Sequence, residues 1–202
     1  MNTIAEDYEE DRLLVTTILR GDHGLFAEII RRSESMVTNI LCNMIRIEED
    51  RKDIAQEVYL KAFKNLSGFK HQSKLTTWIC QIAYNTCLNH LAKKKFILLD
   101  DFNRSQESDL VLKQDIEWQS SSVPPAVSNM FSQDLSTILS REIKRLQPLY
   151  QTLIGLYHQE DLSYAEIGQI TQLPEGTVKS YLYRARKALR ENILINYKPD
   201  DL

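Results

Sequence analysis

Apolar residues recur at helical spacing in the first part of the chain. They repeat between Leu25 and Ile45, and a second stripe runs from about Glu49 to Leu66. A third helix is expected from about residue 76 to about Lys95. Spacings of three and four residues place such side chains on one face of a helix, and no strand-like alternation interrupts them. This part is therefore predicted to form a small helical bundle.

The stretch from Leu98 to Asp134 breaks this pattern. It contains three consecutive serines, a Pro-Pro pair, and seven Asp/Glu against two Lys/Arg, a net charge of −5. Low periodicity with Ser, Pro and like charges is typical of a linker. Helical spacing resumes at Leu135. We therefore predict an all-α protein with two small helical domains, at residues 8–97 and 135–197, joined by a flexible acidic linker at 98–134.

The composition argues against several classes of protein. No apolar run approaches the length that spans a bilayer, and the acidic N-terminus lacks a secretory signal, so we expect a cytoplasmic protein without membrane insertion. Cys42, Cys80 and Cys87 form no Cys-x-x-Cys pair and do not cluster with histidines, so each is expected to pack on a helix face. No nucleophile–base pair, carboxylate dyad or phosphate-binding glycine loop is evident, so we expect no enzyme, no metal and no cofactor.

The stretch from Leu162 to Arg190 has the order helix, tight turn, helix. Ser163 and Glu166 have the spacing of a capping box, and Pro174 suits the start of the next helix. That helix has an apolar stripe formed by Val178, Leu182, Ala185 and Leu189. From Glu175 to Arg190 it has five Lys/Arg against one Glu, a net charge of +4. One apolar and one basic face are typical of a helix that binds in the DNA major groove, although a charged face turned to solvent shows the same pattern.

Two groups of motifs resemble one protein family. The segment Asp53–Phe63, followed by Phe69 and then Thr76–Asn85, resembles region two of extracytoplasmic-function sigma factors. The segments Leu162–Ile167 and Gly176–Arg186 resemble region four of the same family. The resemblance implies a transcription initiation factor that binds core RNA polymerase and directs it to promoters. In such a factor, region four reads −35 duplex DNA and region two traps single-stranded −10 bases.

The resemblance also implies roles for particular residues. The β′ clamp helices of core polymerase would be contacted by Asp53, Gln56 and Glu57, and the β flap is a second expected polymerase contact. The −10 strand would be contacted by Phe69, Lys70, His71, Ser73, Lys74 and Asn85. The DNA backbone would be contacted by Lys93, Lys94 and Lys95. The −35 element would be contacted by Thr177, Lys179, Ser180, Tyr183, Arg184, Arg186 and Lys187.

Some positions depart from the family pattern, and other functions fit part of the sequence. The loop from His71 to Lys74 differs from the usual Arg-Gly-Glu-Ser-like run, and Tyr181 stands where many relatives have a polar residue.

The net charge of −3 suits a DNA reader held in place by a larger partner. One alternative is an adaptor that recruits polymerase to another DNA-bound partner. Another is an autonomous helix-turn-helix regulator. An anti-sigma factor is a further expected partner.

Overall fold

The computed structural model describes residues 3–102 and 135–197, with side chains at 8–94 and 135–197. These residues form helices and turns without any strand, which confirms the predicted all-α fold. The first module contains α1 (Thr3–Leu19), α2 (Phe26–Met44), α3 (Glu48–Lys64) and α4 (Leu75–Phe102). The second module contains α5 (Leu135–Ile143), α6 (Pro148–His158), α7 (Tyr164–Thr171) and α8 (Glu175–Asn196).

Helices α2, α3 and α4 pack on one another through the predicted apolar stripes. The buried stripe of α3 consists of Ile54, Val58 and Ala62. It packs with α4, in which Ile79 and Ala83 are fully buried. Burying a large aliphatic side chain contributes about 1.5–3 kcal/mol, so these stripes stabilise the bundle. Short 3-10 turns at His23–Leu25 and Leu66–Gly68 join the helices.

The start of α4 is fixed by a residue from the other end of the module. The backbone N–H of Leu75 donates a hydrogen bond to Oδ2 of Asp11 at 2.8 Å. N–H groups in the first turn of a helix have no partner within the helix, so this remote carboxylate satisfies one of them. Asp11 is itself buried in α1. The contact therefore anchors the point where the loop from Phe69 to Lys74 enters α4.

The C-terminal end of α4 lies further along the chain than predicted. We expected the helix to end at about Lys95, whereas it continues to Phe102. No Gly or Pro occurs over residues 95–102, so nothing in the local sequence stops the helix there. Residues 103–134, which include most of the predicted linker, lie outside the described residues. The domain boundaries stay a prediction.

Two of the three cysteines lie in the core, as predicted. Cys80 and Cys87 are buried in α4, and burial raises the pKa of each thiol to about 12. The prediction for Cys42 was wrong, because its side chain is exposed. It lines a cleft between α2 and the end of α6, beside Asn39 and Gln159. Helical spacing alone did not reveal that this position on α2 faces the second module.

The two modules pack directly on each other, α6 against α2 and α7 against α4. Most of the buried apolar residues of both modules form one continuous core. Asn39 Nδ2 donates to Oε1 of Gln159 at 2.8 Å, and Ser35 Oγ donates to Oε1 of Glu160 at 3.0 Å. Gly155 of α6 is buried at this contact, and a Cβ added there would overlap Oδ1 of Asn39. Glycine thus permits the close approach of α2 and α6.

Candidate nucleic-acid interface

The helix-turn-helix in the second module forms from strong local signals. Glu166 N–H donates to Oγ of Ser163 at 3.2 Å, and Ser163 N–H donates to Oε2 of Glu166 at 3.0 Å, which completes the predicted capping box. After α7, Gln172 adopts a left-handed conformation with φ 59°. A Cβ added to Gly168 would lie 2.8 Å from the carbonyl oxygen of Leu173, so this glycine allows the turn to close tightly. Pro174 is the N-cap of α8, one position before the first turn in which we expected it.

Helix α8 has one buried face and one exposed basic face. Val178, Leu182 and Ala185 are buried, as the apolar stripe predicted, whereas Leu189 is half-buried. Thr177 is also half-buried. The other predicted −35 contacts are all exposed: Lys179, Ser180, Tyr183, Arg184, Arg186 and Lys187. The fold therefore brings the seven predicted residues together on one helix, and their contact with DNA stays a prediction.

Several side chains on the basic face already have partners within the protein. Lys179 pairs with Glu175 at 2.9 Å, and this hydrogen-bonded carboxylate raises the pKa of Lys179. Arg184 lies over the ring of Tyr181, 5.8 Å from its centroid. Ser180 donates its hydroxyl to the carbonyl of Gly176 at 2.9 Å. Exposed ion pairs of this kind contribute little, so DNA phosphates can compete for the cations.

The loop from Phe69 to Lys74 rests on an aromatic cluster. Phe69 is buried, with its ring centroid 5.2 Å from that of Trp78 and 4.6 Å from that of His71. His71 has a left-handed φ of 53°, and its buried Nδ1 has no hydrogen-bond partner among the described residues. Lys70 is exposed. Of the predicted −10 contacts in this loop, the buried Phe69 therefore packs beneath the loop and the half-buried His71 packs against Phe69, whereas Lys70 is exposed.

The remaining −10 and backbone candidates are on α4. Asn85 is half-buried and lies seven residues after Trp78, which places both on the same side of the helix about two turns apart. Lys93 and Lys94 are exposed, and Lys94 Nζ lies 3.2 Å from Oδ2 of Asp50. The side chain of Lys95 lies outside the described residues. Ser73 and Lys74, in the loop, are half-buried.

The predicted polymerase-binding residues Asp53, Gln56 and Glu57 are all exposed on α3. Glu57 pairs with Lys61 at 2.7 Å, and the hydrogen bond lowers its pKa. Sequence reasoning missed an exposed apolar residue, Leu60, which is 53% exposed. It lies seven residues after Asp53 and three after Glu57, so it belongs to the same helix face. The missed signal was a large apolar residue outside the buried stripe.

Comparisons with known proteins identify both modules. Residues 29–97 match the family model described as Sigma-70 region 2, and residues 136–189 match Sigma-70, region 4. The ECF RNA polymerase sigma factor SigW of Bacillus subtilis is 29% identical over 179 residues, which cover 89% of this chain and 94% of that protein. The ECF RNA polymerase sigma-E factor of Escherichia coli K12 is 29% identical over 187 residues, which cover 91% of this chain and 94% of that protein. The chain belongs to the extracytoplasmic-function sigma factors.

Solved structures confirm the fold of this sigma factor. CnrH in complex with the cytosolic domain of CnrY has a TM-score of 0.60 at 16% identity, covering 93% of this chain and 99% of that one. The sigma factor RpoE of Bartonella quintana, solved with the anti-sigma factor NepR, has a TM-score of 0.59 at 19% identity. The match covers 85% of this chain and 97% of that one.

The family assignment establishes the general function. This sigma factor is a transcription initiation factor that binds core RNA polymerase and directs it to specific promoters. Matches to both regions, in the family's order, favour this function over the adaptor and the autonomous regulator. Among the helices that the structure describes, none has the length and apolar character of a membrane span.

Proposed function

We propose that this sigma factor, a non-enzymatic cytoplasmic protein, uses three surfaces during initiation. Helix α8 reads the −35 duplex, the loop from Phe69 to Lys74 with Asn85 traps a −10 base, and the exposed face of α3 docks on the β′ clamp helices. The observation that supports this most strongly is the exposed basic face of α8, directly opposite a buried apolar stripe.

The argument for α8 follows from its two faces. Val178 and Leu182 fix the rotation of the helix on α6 and α7, which leaves the basic residues turned outward. A helix of this diameter fits the major groove, where Arg and Lys can contact guanine edges or phosphates. Tyr183, which is 70% exposed, can contact a thymine methyl or a sugar. These groups suit the reading of duplex DNA rather than single strands.

The loop and α4 suit a base that has left the duplex. A flipped base needs an aromatic or apolar surface for stacking and polar groups for its Watson–Crick edge. The half-buried Trp78 supplies the aromatic surface, and the amide of Asn85 lies on the same side of α4. Lys70 is exposed at the loop and can contact the phosphate of the trapped nucleotide. Lys93, Lys94 and Lys95 would follow the backbone further along the helix.

The face of α3 suits docking on another helix. Asp53, Gln56 and Glu57 provide acceptors and an amide, and Leu60 provides an apolar centre to the same face. Protein interfaces commonly have such an apolar centre with a polar rim. The β flap is the proposed partner of region four. Because related solved structures contain CnrY or the anti-sigma factor NepR, an anti-sigma protein is a further proposed partner.

Promoter binding also requires the two modules to separate. Lys74 in the −10 loop lies 3.5 Å from Glu166 in α7, so the −10 loop lies against the helix-turn-helix that contains the proposed −35 reader. The −10 and −35 elements lie about 25 base pairs apart, which is roughly 85 Å of duplex at 3.4 Å per base pair. A compact chain of this length has a radius of gyration of about 16 Å. We call the arrangement in which the two modules pack on each other the closed arrangement. We therefore propose that the closed arrangement opens when both promoter elements are bound.

Purification of the sigma factor from its host tests this proposal. We expect the subunits of core RNA polymerase to co-purify, together with DNA sites that share −35 and −10 elements. Glu57→Lys should weaken the polymerase association, because it reverses a charge on the proposed docking face. Glu9→Lys, the same change at an exposed position on α1, is the control. Recovery of DNA sites without polymerase would contradict the proposal.

A further inference from the structure

Two tyrosines stack on each other between α6 and α7. Tyr157 lies near the end of α6 and Tyr164 at the start of α7, with ring centroids 5.0 Å apart and ring planes at 12°. Their hydroxyl oxygens are 3.5 Å apart, with Tyr164 as the donor. Both rings are half-buried, so part of each ring is accessible at the surface of the helix-turn-helix.

Each ring of this tyrosine pair contacts one cation of α8. The guanidinium carbon of Arg186 lies 5.0 Å from the centroid of Tyr157, and Nζ of Lys179 lies 5.3 Å from the centroid of Tyr164. Both distances are within the range in which an aromatic face attracts a cation. Lys179 and Arg186 are seven residues apart, about two turns and 10.5 Å along the helix. The tyrosine pair therefore contacts the basic face of α8 at two points that are two turns apart.

A histidine gives Arg186 a second contact. Nε and Nη2 of Arg186 lie 3.3 and 3.2 Å from Nε2 of His158, which accepts in the tautomer that has its proton on Nδ1. Burial and the nearby Arg186 lower the pKa of His158, so at neutral pH its ring is neutral and can accept. The guanidinium has five N–H donors, so it keeps donors free for a further partner.

We propose that Tyr157 and Tyr164 are positioning residues for −35 DNA, which hold Arg186 and Lys179 in the orientations that meet the phosphates. This inference rests on the proposed role of α8. Long cationic side chains lose rotamer freedom when they bind, and a side chain that is already ordered loses less. Tyrosine suits this role because its ring is rigid and uncharged, so it orders the cation without competing as a counter-ion.

The ring of Tyr164 carries no charge, unlike Glu175, which is the other partner of Lys179. Glu175 pairs with Lys179 at 2.9 Å, and this carboxylate must release the ammonium before a phosphate can take its place. Tyr164 can keep its contact in the DNA complex, because a cation can lie over a ring and donate to a phosphate at once. The tyrosine contacts are therefore compatible with bound DNA, whereas the Glu175 pair competes with it.

The test measures binding of the polymerase holoenzyme to a promoter duplex as a function of salt. Tyr157→Leu should weaken binding by roughly two- to fivefold, the effect of one exposed cation–ring contact. Tyr157→Phe, which keeps the ring but loses the hydroxyl beside Arg186, should lose less affinity than Tyr157→Leu. The slope of log affinity against log salt should stay unchanged in Tyr157→Leu, because no charge is lost, whereas Arg186→Ala should reduce it by about one. The double variant should bind no more weakly than Arg186→Ala alone.

A matched control and three outcomes decide the inference. Tyr8→Leu removes a half-buried ring from α1, outside the helix-turn-helix, and no described cation lies over that ring, so promoter affinity should be unchanged. Equal losses of promoter affinity in Tyr157→Leu and Tyr157→Phe, or additive losses in the double variant, would overturn the positioning role. The proposed role of α8 in reading DNA would then still stand. If Arg186→Ala and Lys179→Ala both leave promoter binding unchanged, the proposed function of α8 fails as well.

Discussion

Lys74 and Glu166 join the two modules by an ion pair, with Nζ and Oε1 3.5 Å apart. Glu166 is also the capping-box residue of α7. Partial burial raises its pKa, but hydrogen bonds from Ser163 and the charge of Lys74 outweigh burial, so the pKa is lowered. The same carboxylate thus caps the first helix of the helix-turn-helix and contacts the proposed −10 loop. Because this contact joins the two modules, the structure represents the closed arrangement.

A disulfide across the module contact should lock the closed arrangement. Cγ of Asn39 lies 3.1 Å from a Cβ added to Gly155, and in a disulfide a sulfur lies about 3 Å from the partner's Cβ. We expect Asn39→Cys with Gly155→Cys, in a Cys42→Ser background, to form an intramolecular crosslink on oxidation. The crosslinked sigma factor should lose promoter-dependent transcription, and reduction should restore it. The readouts are gel mobility without reductant and run-off transcription.

Each single cysteine variant in the Cys42→Ser background is the control for this experiment. Neither should form the intramolecular crosslink, since Cys80 and Cys87 are buried and their thiols have a pKa of about 12. Full transcription by the crosslinked sigma factor would show that the modules need not separate.

Asn85→Ala should impair promoter opening while core polymerase still binds. The half-buried amide lies on the same side of α4 as Trp78, so its loss should remove polar contacts to a trapped base. Reactivity of unpaired −10 thymines to permanganate measures opening, and co-purification measures polymerase binding. Asn89→Ala, an exposed amide one turn further along α4, is the matched control. Equal loss of opening and polymerase binding in Asn85→Ala would contradict the assignment.

The local elements of this fold could be predicted from the sequence, but the contact between modules could not. The capping box of Ser163 and Glu166 and the apolar stripe of α8 are signals within a few residues. The capping box was confirmed, and the stripe was confirmed except for the half-buried Leu189. Gly155 has no such signal, because its role depends on Asn39 from a distant helix. The stack of Tyr157 on Tyr164 depends likewise on the geometry of the turn that joins α6 to α7.

Replacing Lys179 and Arg184 together by alanine should reduce the dependence of transcription on the −35 element. Each lost phosphate contact lowers the salt slope of promoter binding by about one, so the double variant should lower it by about two. Arg141→Ala with Lys144→Ala removes the same charge from exposed positions outside α8 and should change neither readout. Unchanged selectivity between intact and scrambled −35 elements in the α8 variant would count against this helix as the reader.

Tyr197→Phe should destabilise the second module. The hydroxyl of Tyr197 donates to Oε1 of the fully buried Glu142 at 3.1 Å, and Arg145 donates to the same oxygen at 2.9 Å. Oε2 of Glu142 has no partner among the described residues, so the carboxylate depends on these two donors. We expect a loss of about 1.5–3 kcal/mol, typical of a hydrogen bond to a charged group, in urea unfolding. Tyr183→Phe, at an exposed ring, should leave stability unchanged.

Run-off transcription with purified core polymerase tests the central claim most directly. The template would have a promoter identified by DNA co-purification, beside versions in which the −10 or the −35 element is scrambled. We predict transcripts from the intact promoter only when the sigma factor is added, and loss of those transcripts when either element is scrambled. Equal transcription from intact and scrambled promoters, or none without a further DNA-bound partner, would contradict the claim that this chain itself directs polymerase to its promoters.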